Sequence, residues 1–170
     1  MNCPICKNIN LDFIYQFTDM LAMQNKLCSS LEGALKEEKI NFDLYGCRDC
    51  GFIFNADFDS EKINYSINYD NTQECSSYFL KYIKRLAKRL NKKYNLKNKN
   101  VIEIGCGKGG LLKLLYEDGV KKIKGFDPSY VDCGHSIDKL VIKTFFDKKN
   151  LKEKADFIIC RHTLEHIPNP

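Results

Sequence analysis

The stretch Val101-Ile-Glu-Ile-Gly-Cys-Gly-Lys-Gly-Gly110 decides the fold of this 170-residue chain. Its first four residues are apolar except for Glu103, which is typical of a buried strand, and a cluster of glycines follows directly. Glycine lets the backbone turn sharply after a strand and lets a ligand approach the main chain closely. The stretch therefore predicts a strand, a ligand-binding loop and the start of a helix.

Segments of alternating type follow this loop. Leu111–Glu117 has a helical pattern, and residues 130–138 predict a short helix or a loop. Three further segments predict strands: Ile123–Phe126, Leu140–Phe145 and Phe157–Cys160. Such alternation predicts parallel strands joined by crossover helices. We therefore expect an α/β fold with a Rossmann-like sheet. Because the chain stops at Pro170, we expect it to hold only the first four strands of an incomplete sheet.

The glycine spacing fits two kinds of cofactor. The loop matches both the G-x-G-x-x-G of dinucleotide-binding proteins and, with Glu103 included, the E-x-G-x-G-x-G of methyltransferases; its glycines are Gly105, Gly107, Gly109 and Gly110. Glu103 favours the second pattern, because a carboxylate suits a ligand with an ammonium group and no phosphate, such as S-adenosylmethionine. Asp127 ends the next predicted strand, where an acidic side chain accepts hydrogen bonds from ribose hydroxyls in either case.

Two C-x-x-C pairs lie in the N-terminal part, and short strand patterns at residues 41–45 and 52–54 flank the second pair. The pairs are formed by Cys3 with Cys6 and by Cys47 with Cys50. Each looks like a knuckle turn, and four thiolates suit a tetrahedral zinc ion. Four protein ligands leave no open position, so we expect structural zinc. The alternatives are unconnected cysteines or a redox pair, but a redox C-x-x-C normally begins a helix after a strand.

The region between the cysteine pairs and the glycine loop contains one strong helix pattern. Apolar residues recur at helical spacing from Phe79 to Leu90 after a cap at Ser76 or Ser77, and lysines fall on the opposite side. A basic run of this kind is usually a solvated helix face, so we expect nucleic acid to be an unlikely partner. We divide the chain into a zinc-binding lobe (1–58), a connecting helical segment (59–99) and a cofactor-binding domain (100–170).

The composition is that of a globular protein, with 44% hydrophobic and 29% charged residues and a net charge of +5. No apolar run reaches the length of about 18 residues that a membrane helix needs. The N-terminus lacks the basic-then-apolar pattern of a signal peptide. We therefore expect a cytoplasmic protein with no membrane partner.

The segment Cys160-Arg-His-Thr-Leu-Glu-His-Ile167 resembles the end of the fourth strand in class I methyltransferases. Together with Glu103 and Asp127, it implies a class I methyltransferase sheet and S-adenosylmethionine as cofactor. By this resemblance, His162 and His166 are weak candidates for a general base. The residues expected to bind the cofactor are Glu103, Gly105, Cys106, Gly107, Gly109, Asp127, Pro128, Phe146, Asp147, Cys160 and Arg161.

A four-cysteine lobe, a connecting helix and a methyltransferase domain in this order resemble the bacterial sugar C-methyltransferases. This resemblance implies carbon methylation of a small molecule such as a nucleotide-linked sugar, with Tyr69 and Gln73 as a lid over the cofactor. The alternatives are nitrogen or oxygen methylation of another metabolite, and a non-catalytic zinc-containing module that binds nucleic acid. The family's base lies beyond the fourth strand, so we expect this chain to be inactive alone.

Overall fold

The computed structural model describes residues 1–23, 26–59, 62, 74–132, 134–147, 149, 151 and 154–167. The chain divides into two compact units, one formed by residues 1–70 with 165–170 and the other by residues 71–164. Each unit has its own β-sheet. In the part of the chain that the structure describes, no helix combines the length and the apolar character that crossing a membrane requires.

The N-terminal unit is built on an antiparallel sheet of three strands in the order β1-β2-β3. Its elements are β1 (Leu11–Leu21), the short helix α1 (Leu31–Leu35), β2 (Lys39–Cys47) and β3 (Ile53–Asn55). β1 pairs with β2 from Leu11 opposite Cys47 to Leu21 opposite Lys39. Among the described residues of this unit, the only buried side chains are those of Cys3 and Cys47. The described part of this unit therefore contains almost no hydrophobic core.

The second unit contains a parallel sheet of four strands in the order β6-β5-β4-β7. Its elements are α2 (Ser77–Tyr94), β4 (Val101–Ile104), α3 (Gly110–Glu117), β5 (Ile123–Phe126), β6 (Val141–Ile142) and β7 (Phe157–Cys160). The predicted α/β fold with a Rossmann-like parallel sheet is confirmed. The chain moves outward from β4 to β6 and then returns to β7 on the other side of β4. Such a reversal opens a crevice at the carboxyl ends of the strands, where ligands bind in these sheets.

The third predicted strand is shorter than the sequence pattern indicates. Only Val141 and Ile142 pair with β5, opposite Gly125 and Phe126. Leu140 instead ends a 3-10 turn that begins at Asp138. β6 lies at the edge of the sheet, and beyond Ile142 the backbone turns, because the Thr144 N–H donates to the Ile142 carbonyl at 2.9 Å.

Helices α2 and α3 pack on each other and run in the same direction. Apolar residues of both helices share one core, and the buried Asn91 of α2 donates to the Asp118 carboxylate at 2.6 Å. This bond joins the C-terminal ends of the two helices. At the opposite end, a Cβ atom added to Gly110 would overlap the carboxylate of Glu74, just before α2. Both helices therefore begin at the edge of the sheet that carries the glycine loop.

Candidate cofactor site and cysteine cluster

The loop between β4 and α3 is built from glycines in left-handed backbone conformations. Gly105, Gly107 and Gly109 have φ angles of 67°, 55° and 77°. Any other residue type is strained in this region, because a Cβ atom crowds the following carbonyl. The Gly105 N–H donates to the Phe126 carbonyl at 2.8 Å, which fastens the start of the loop to the end of β5. The loop thus makes the sharp turn that its glycine spacing predicts.

Gly105 also lies against the segment that follows β7. A Cβ atom added to Gly105 would come within 2.9 Å of the Thr163 Cβ and would overlap the hydroxyl. The Thr163 hydroxyl donates to the Arg161 carbonyl at 3.0 Å. The two loops that flank the crevice between β4 and β7 therefore touch. Thr163 was not among the predicted site residues, although it lies inside the motif that identified this segment.

Asp127 joins the glycine loop to the loop after β5. Its Oδ2 accepts a hydrogen bond from the Gly107 N–H at 2.7 Å, and its Oδ1 accepts from the Ser129 N–H at 2.9 Å and the Ser129 hydroxyl at 2.6 Å. A carboxylate offers about four acceptor positions, of which these bonds use three. One position remains for a ligand hydroxyl. The structure therefore gives Asp127 a loop-fastening role in addition to the ribose contact predicted from the sequence.

Glu103 is a buried carboxyl group at the centre of the sheet. Its side chain is 4% exposed, and Oε2 has no hydrogen-bond partner among the described residues. Burial is the largest influence on Glu103 and raises the pKa of its carboxyl group to about 8. The nearby charge of Arg161 and a hydrogen bond from the Leu112 backbone lower this pKa, and the charge of Asp127 raises it. An unpartnered buried carboxyl oxygen costs about 1–3 kcal/mol or more, so native proteins rarely keep one without a reason. Glu103 is therefore poised to accept a donor from a ligand.

The remaining predicted cofactor residues occupy different environments. Phe146 packs edge-on against Phe126, with ring centroids 5.2 Å apart, at the end of β5. Asp147 is exposed and accepts from the Lys149 N–H at 3.0 Å, and Pro128 is exposed beside Asp127. Cys106 points into the core under the loop, where burial raises its pKa. Cys160 and Arg161 are half-buried at the end of β7. Tyr69 and Gln73 lie outside the described residues.

The two histidines proposed as weak catalytic candidates are both exposed. His162 has a φ angle of 52°, a left-handed conformation, and sits in the tight turn after β7. His166 ends a 3-10 turn that begins at Leu164. A catalytic function of either histidine stays a prediction.

The cysteine cluster of the N-terminal unit brings together the four predicted metal ligands. The sulfur atoms of Cys3, Cys6, Cys47 and Cys50 all lie within 4.8 Å of one another. The Cys3–Cys50 and Cys6–Cys47 sulfur pairs are 3.6 and 3.5 Å apart. A tetrahedral zinc ion with bonds of about 2.3 Å places its sulfur ligands roughly 3.8 Å apart. The geometry and the all-thiol donor set therefore fit a zinc ion.

The two halves of the cysteine cluster are matching turns. The Lys7 N–H donates to the Cys3 carbonyl at 3.0 Å, and the Gly51 N–H donates to the Cys47 carbonyl at 2.8 Å. The residue after each second cysteine is left-handed, with φ angles of 64° at Lys7 and 75° at Gly51. These are the knuckle turns that the two C-x-x-C pairs predict.

The groups around the glycine loop fit S-adenosylmethionine better than a dinucleotide. Glu103 and Asp127 are close enough to couple electrostatically. The negative charge of a pyrophosphate would be unfavourable beside the Asp127 carboxylate, and a pyrophosphate would offer no donor to the Oε2 atom of Glu103. An ammonium group would instead supply the donor that Glu103 Oε2 lacks. With the parallel sheet and its switch point, these groups define a class I methyltransferase.

Comparison with known families agrees with this assignment. A model of the methyltransferase domain family matches residues 73–170, more than half of the chain. The chain belongs to this family and is an enzyme of the class I methyltransferase type. S-adenosylmethionine is the usual cofactor of such domains.

Two relatives of this chain have the same name, tRNA U34 carboxymethyltransferase. The protein from Aliarcobacter butzleri is 32% identical over 85 residues, and the one from Nautilia profundicola is 31% identical over 90 residues. In both cases the match covers 45% of this chain and 28% of the relative. The expectation that nucleic acid is an unlikely partner is therefore wrong, because both relatives are named for a tRNA nucleotide.

Proposed function

We propose that the loop after β4 binds S-adenosylmethionine for methyl transfer by this enzyme. The observation that carries the proposal is the buried Oε2 of Glu103, which lacks a partner among the described residues and lies at the start of the glycine loop. When bound, S-adenosylmethionine supplies a sulfonium methyl group that an acceptor atom attacks in line. We also propose that the protein is cytoplasmic. The division into a zinc-binding lobe (1–58), a connecting helical segment (59–99) and a cofactor-binding domain (100–170) is likewise a proposal.

The residues around the loop have distinct parts in holding the cofactor. Glu103 accepts from the ammonium group, and the half-buried Arg161 offers its positive charge to the carboxylate of the methionine part. The free acceptor position of Asp127 takes a ribose hydroxyl. Phe146, fixed edge-on to Phe126, offers a ring for the adenine. Positioning of this kind is the main contribution that a protein makes to such a transfer.

Titration calorimetry with S-adenosylhomocysteine tests the cofactor site. We expect the full chain to bind this product, and Glu103→Gln to weaken binding at least tenfold, about 1.4 kcal/mol, because glutamine cannot ionise to pair with the ligand's ammonium group as a carboxyl group can. Glu117→Gln is the matched control, since Glu117 is exposed at the end of α3. Tighter binding of NAD than of S-adenosylhomocysteine, or equal effects of the two variants, would contradict the proposal.

The acceptor that we propose is a nucleotide of tRNA. This choice rests on the two relatives, whose names specify a tRNA uridine and whose similarity falls on about half of this chain. Incubation of the complete gene product with radiolabelled S-adenosylmethionine and unmodified tRNA transcripts tests it, with label in the RNA as the expected result. Label recovered only in small molecules from a cell extract would rule this acceptor out.

A nucleotide-linked sugar is the second candidate acceptor, with methylation at carbon. The observation that favours it is the four-cysteine cluster in the N-terminal unit, because the sugar C-methyltransferases that the sequence resembles carry such a lobe. The same labelling experiment with nucleotide-linked keto-sugars separates the two acceptors. Incorporation into the sugar that resists acid, as a carbon-bound methyl group does, would establish this candidate.

A further inference from the structure

The outer face of α2 carries an unusual concentration of positive charge. Its 18 residues include seven cations and no acidic residue; the cations are Lys81, Lys84, Arg85, Lys88, Arg89, Lys92 and Lys93. All seven are exposed, and none forms an ion pair with another residue that the structure describes. The helix contributes +7 to a chain of net charge +5, so the rest of the chain carries −2.

Three of these cations form a narrow stripe along the helix, and the other four flank it. The buried face of α2 is marked by Ile83, Leu86 and Ala87, which fixes which side of the helix points outward. At 100° per residue, Lys81, Lys88 and Lys92 fall within about 40° of one another on the opposite side. From Lys81 to Lys92 the stripe is roughly 16 Å long. That length spans on the order of five phosphates of one nucleic-acid strand.

The stripe leads toward the cofactor loop. Because α2 and α3 begin at the same edge of the sheet, Lys81 lies at the end of the stripe nearer the glycine loop and Lys92 at the far end. The contact between Glu74 and Gly110 and the hydrogen bond between Asn91 and Asp118 establish this direction. A polyanion lying along the stripe would therefore extend toward the edge where methyl transfer takes place.

We propose that the outer face of α2 docks the phosphate backbone of the RNA substrate. The proposal rests on the RNA acceptor proposed above and adds the surface that recognises it. The occupant follows from charge complementarity: lysine supplies point charges, and the guanidinium groups of Arg85 and Arg89 pair with phosphate oxygens in a bidentate manner. Contacts of this type position the RNA without reading its sequence.

A charge-neutralised variant tests this surface. The substitutions Lys81→Gln, Lys84→Gln, Lys88→Gln and Lys92→Gln are combined, since glutamine keeps the helix propensity of lysine. The matched control removes four exposed lysines outside α2 by the same change: Lys39, Lys122, Lys124 and Lys139. Binding of fluorescently labelled bulk tRNA by the full chain is measured over a range of salt concentrations, and S-adenosylhomocysteine binding is measured on every variant.

We expect the α2 variant to lose at least tenfold in tRNA affinity and to reduce the slope of log affinity against log salt by about 3, as four lost phosphate contacts imply. The control variant should lose much less. Unchanged binding of S-adenosylhomocysteine shows that the unit is folded and that the cofactor site is intact.

Equal losses in the two variants would overturn the docking surface and leave the cofactor site standing. So would a wild-type chain that binds S-adenosylhomocysteine but no tRNA. Binding of vesicles that contain anionic phosphatidylglycerol in preference to tRNA would assign the stripe to a lipid surface and would equally overturn the proposal. If the wild-type chain does not bind S-adenosylhomocysteine, this result would instead count against the proposed cofactor site.

Discussion

At the scale of single residues, Glu103 couples the stability of the cofactor unit to pH. Burial raises the pKa of its carboxyl from 4.5 to about 8, so the folded protein holds a proton that the unfolded chain releases. The neutral form of Glu103 is therefore favoured in the folded state and adds to the free energy of unfolding. This contribution is fully present below pH 4.5. It declines as the pH rises and is lost by about pH 8.

We expect Glu103→Gln to remove this pH dependence. Each pKa unit corresponds to about 1.4 kcal/mol, so the wild-type chain should lose on the order of a few kcal/mol relative to this variant between pH 4.5 and pH 8. Urea unfolding followed by far-ultraviolet circular dichroism measures it, because the longer helices α2 and α3 belong to this unit. Glu117→Gln is the control, and parallel pH profiles for the two variants would contradict the expectation.

Gly105 makes a second prediction at this scale. Gly105→Ala places a side chain in a left-handed conformation and against Thr163, whereas Gly134→Ala meets the same backbone strain with no atom within 4 Å. The strain costs roughly 1–2 kcal/mol at both positions. Overpacking should add about 1–3 kcal/mol at Gly105 alone and should abolish S-adenosylhomocysteine binding. Urea unfolding and calorimetry compare the two variants, and equal destabilisation would show that the loops do not touch.

Much of this site could be predicted from the sequence, because it is encoded locally. The glycine spacing, Glu103 within the strand and Asp127 after the next strand are all short-range signals. The contact of Thr163 with Gly105 could not be predicted in this way, since it depends on the order of the strands in the sheet. The orphaned oxygen of Glu103 likewise requires knowledge of everything that surrounds it.

At the scale of elements, one buried polar residue joins the C-terminal ends of α2 and α3 beside their shared apolar core. The side-chain amide of Asn91 donates to both the carbonyl and the carboxylate of Asp118, at 3.1 and 2.6 Å. We expect Asn91→Ala to destabilise the unit by about 1–3 kcal/mol, because it leaves these acceptors without their donor. Thermal melts compare it with Asn98→Ala, whose side chain is exposed. A similar loss for both variants would mean that the bond contributes nothing specific.

The elements differ in how well the sequence predicts them. α2 is found at its predicted place with Ser76 as the cap, since its apolar spacing is strong and Ser76 accepts from the Phe79 N–H at 3.3 Å. β1 was not predicted, although Phe13, Tyr15 and Phe17 recur at every second position as in a strand. All but one of its side chains are exposed, so this alternation does not mark a buried face. Its pairing with β2 is a long-range interaction. β6 is shorter than predicted, because an edge strand ends where its hydrogen bonds to the neighbouring strand end, and these bonds cannot be read from the apolar pattern.

At the scale of the whole molecule, the two units are stabilised in different ways. The unit that contains the parallel sheet buries a continuous apolar core, from Ile83 in α2 to Ile159 in β7. The N-terminal unit buries only two cysteines among its described residues, and both belong to the cysteine cluster. A small unit without a core needs a covalent or metal crosslink to fold. We therefore expect the fold of this unit to depend on the cluster, and the fold of the other unit to be independent of it.

Zinc removal should consequently unfold one unit and spare the other. We expect the wild-type chain to bind one zinc ion. The Cys47→Ser variant should lose this ion, and its N-terminal unit should become sensitive to proteolysis, because zinc binding and folding are a single equilibrium in such units. Cys28→Ser is the matched control, since Cys28 is a free, exposed thiol in the same unit and lies outside the cluster. Metal analysis and limited proteolysis measure the effect, while S-adenosylhomocysteine binding should persist in both variants because Glu103 and the glycine loop belong to the other unit. Full protease resistance of the N-terminal unit after chelation would show that the cluster is not what holds it together.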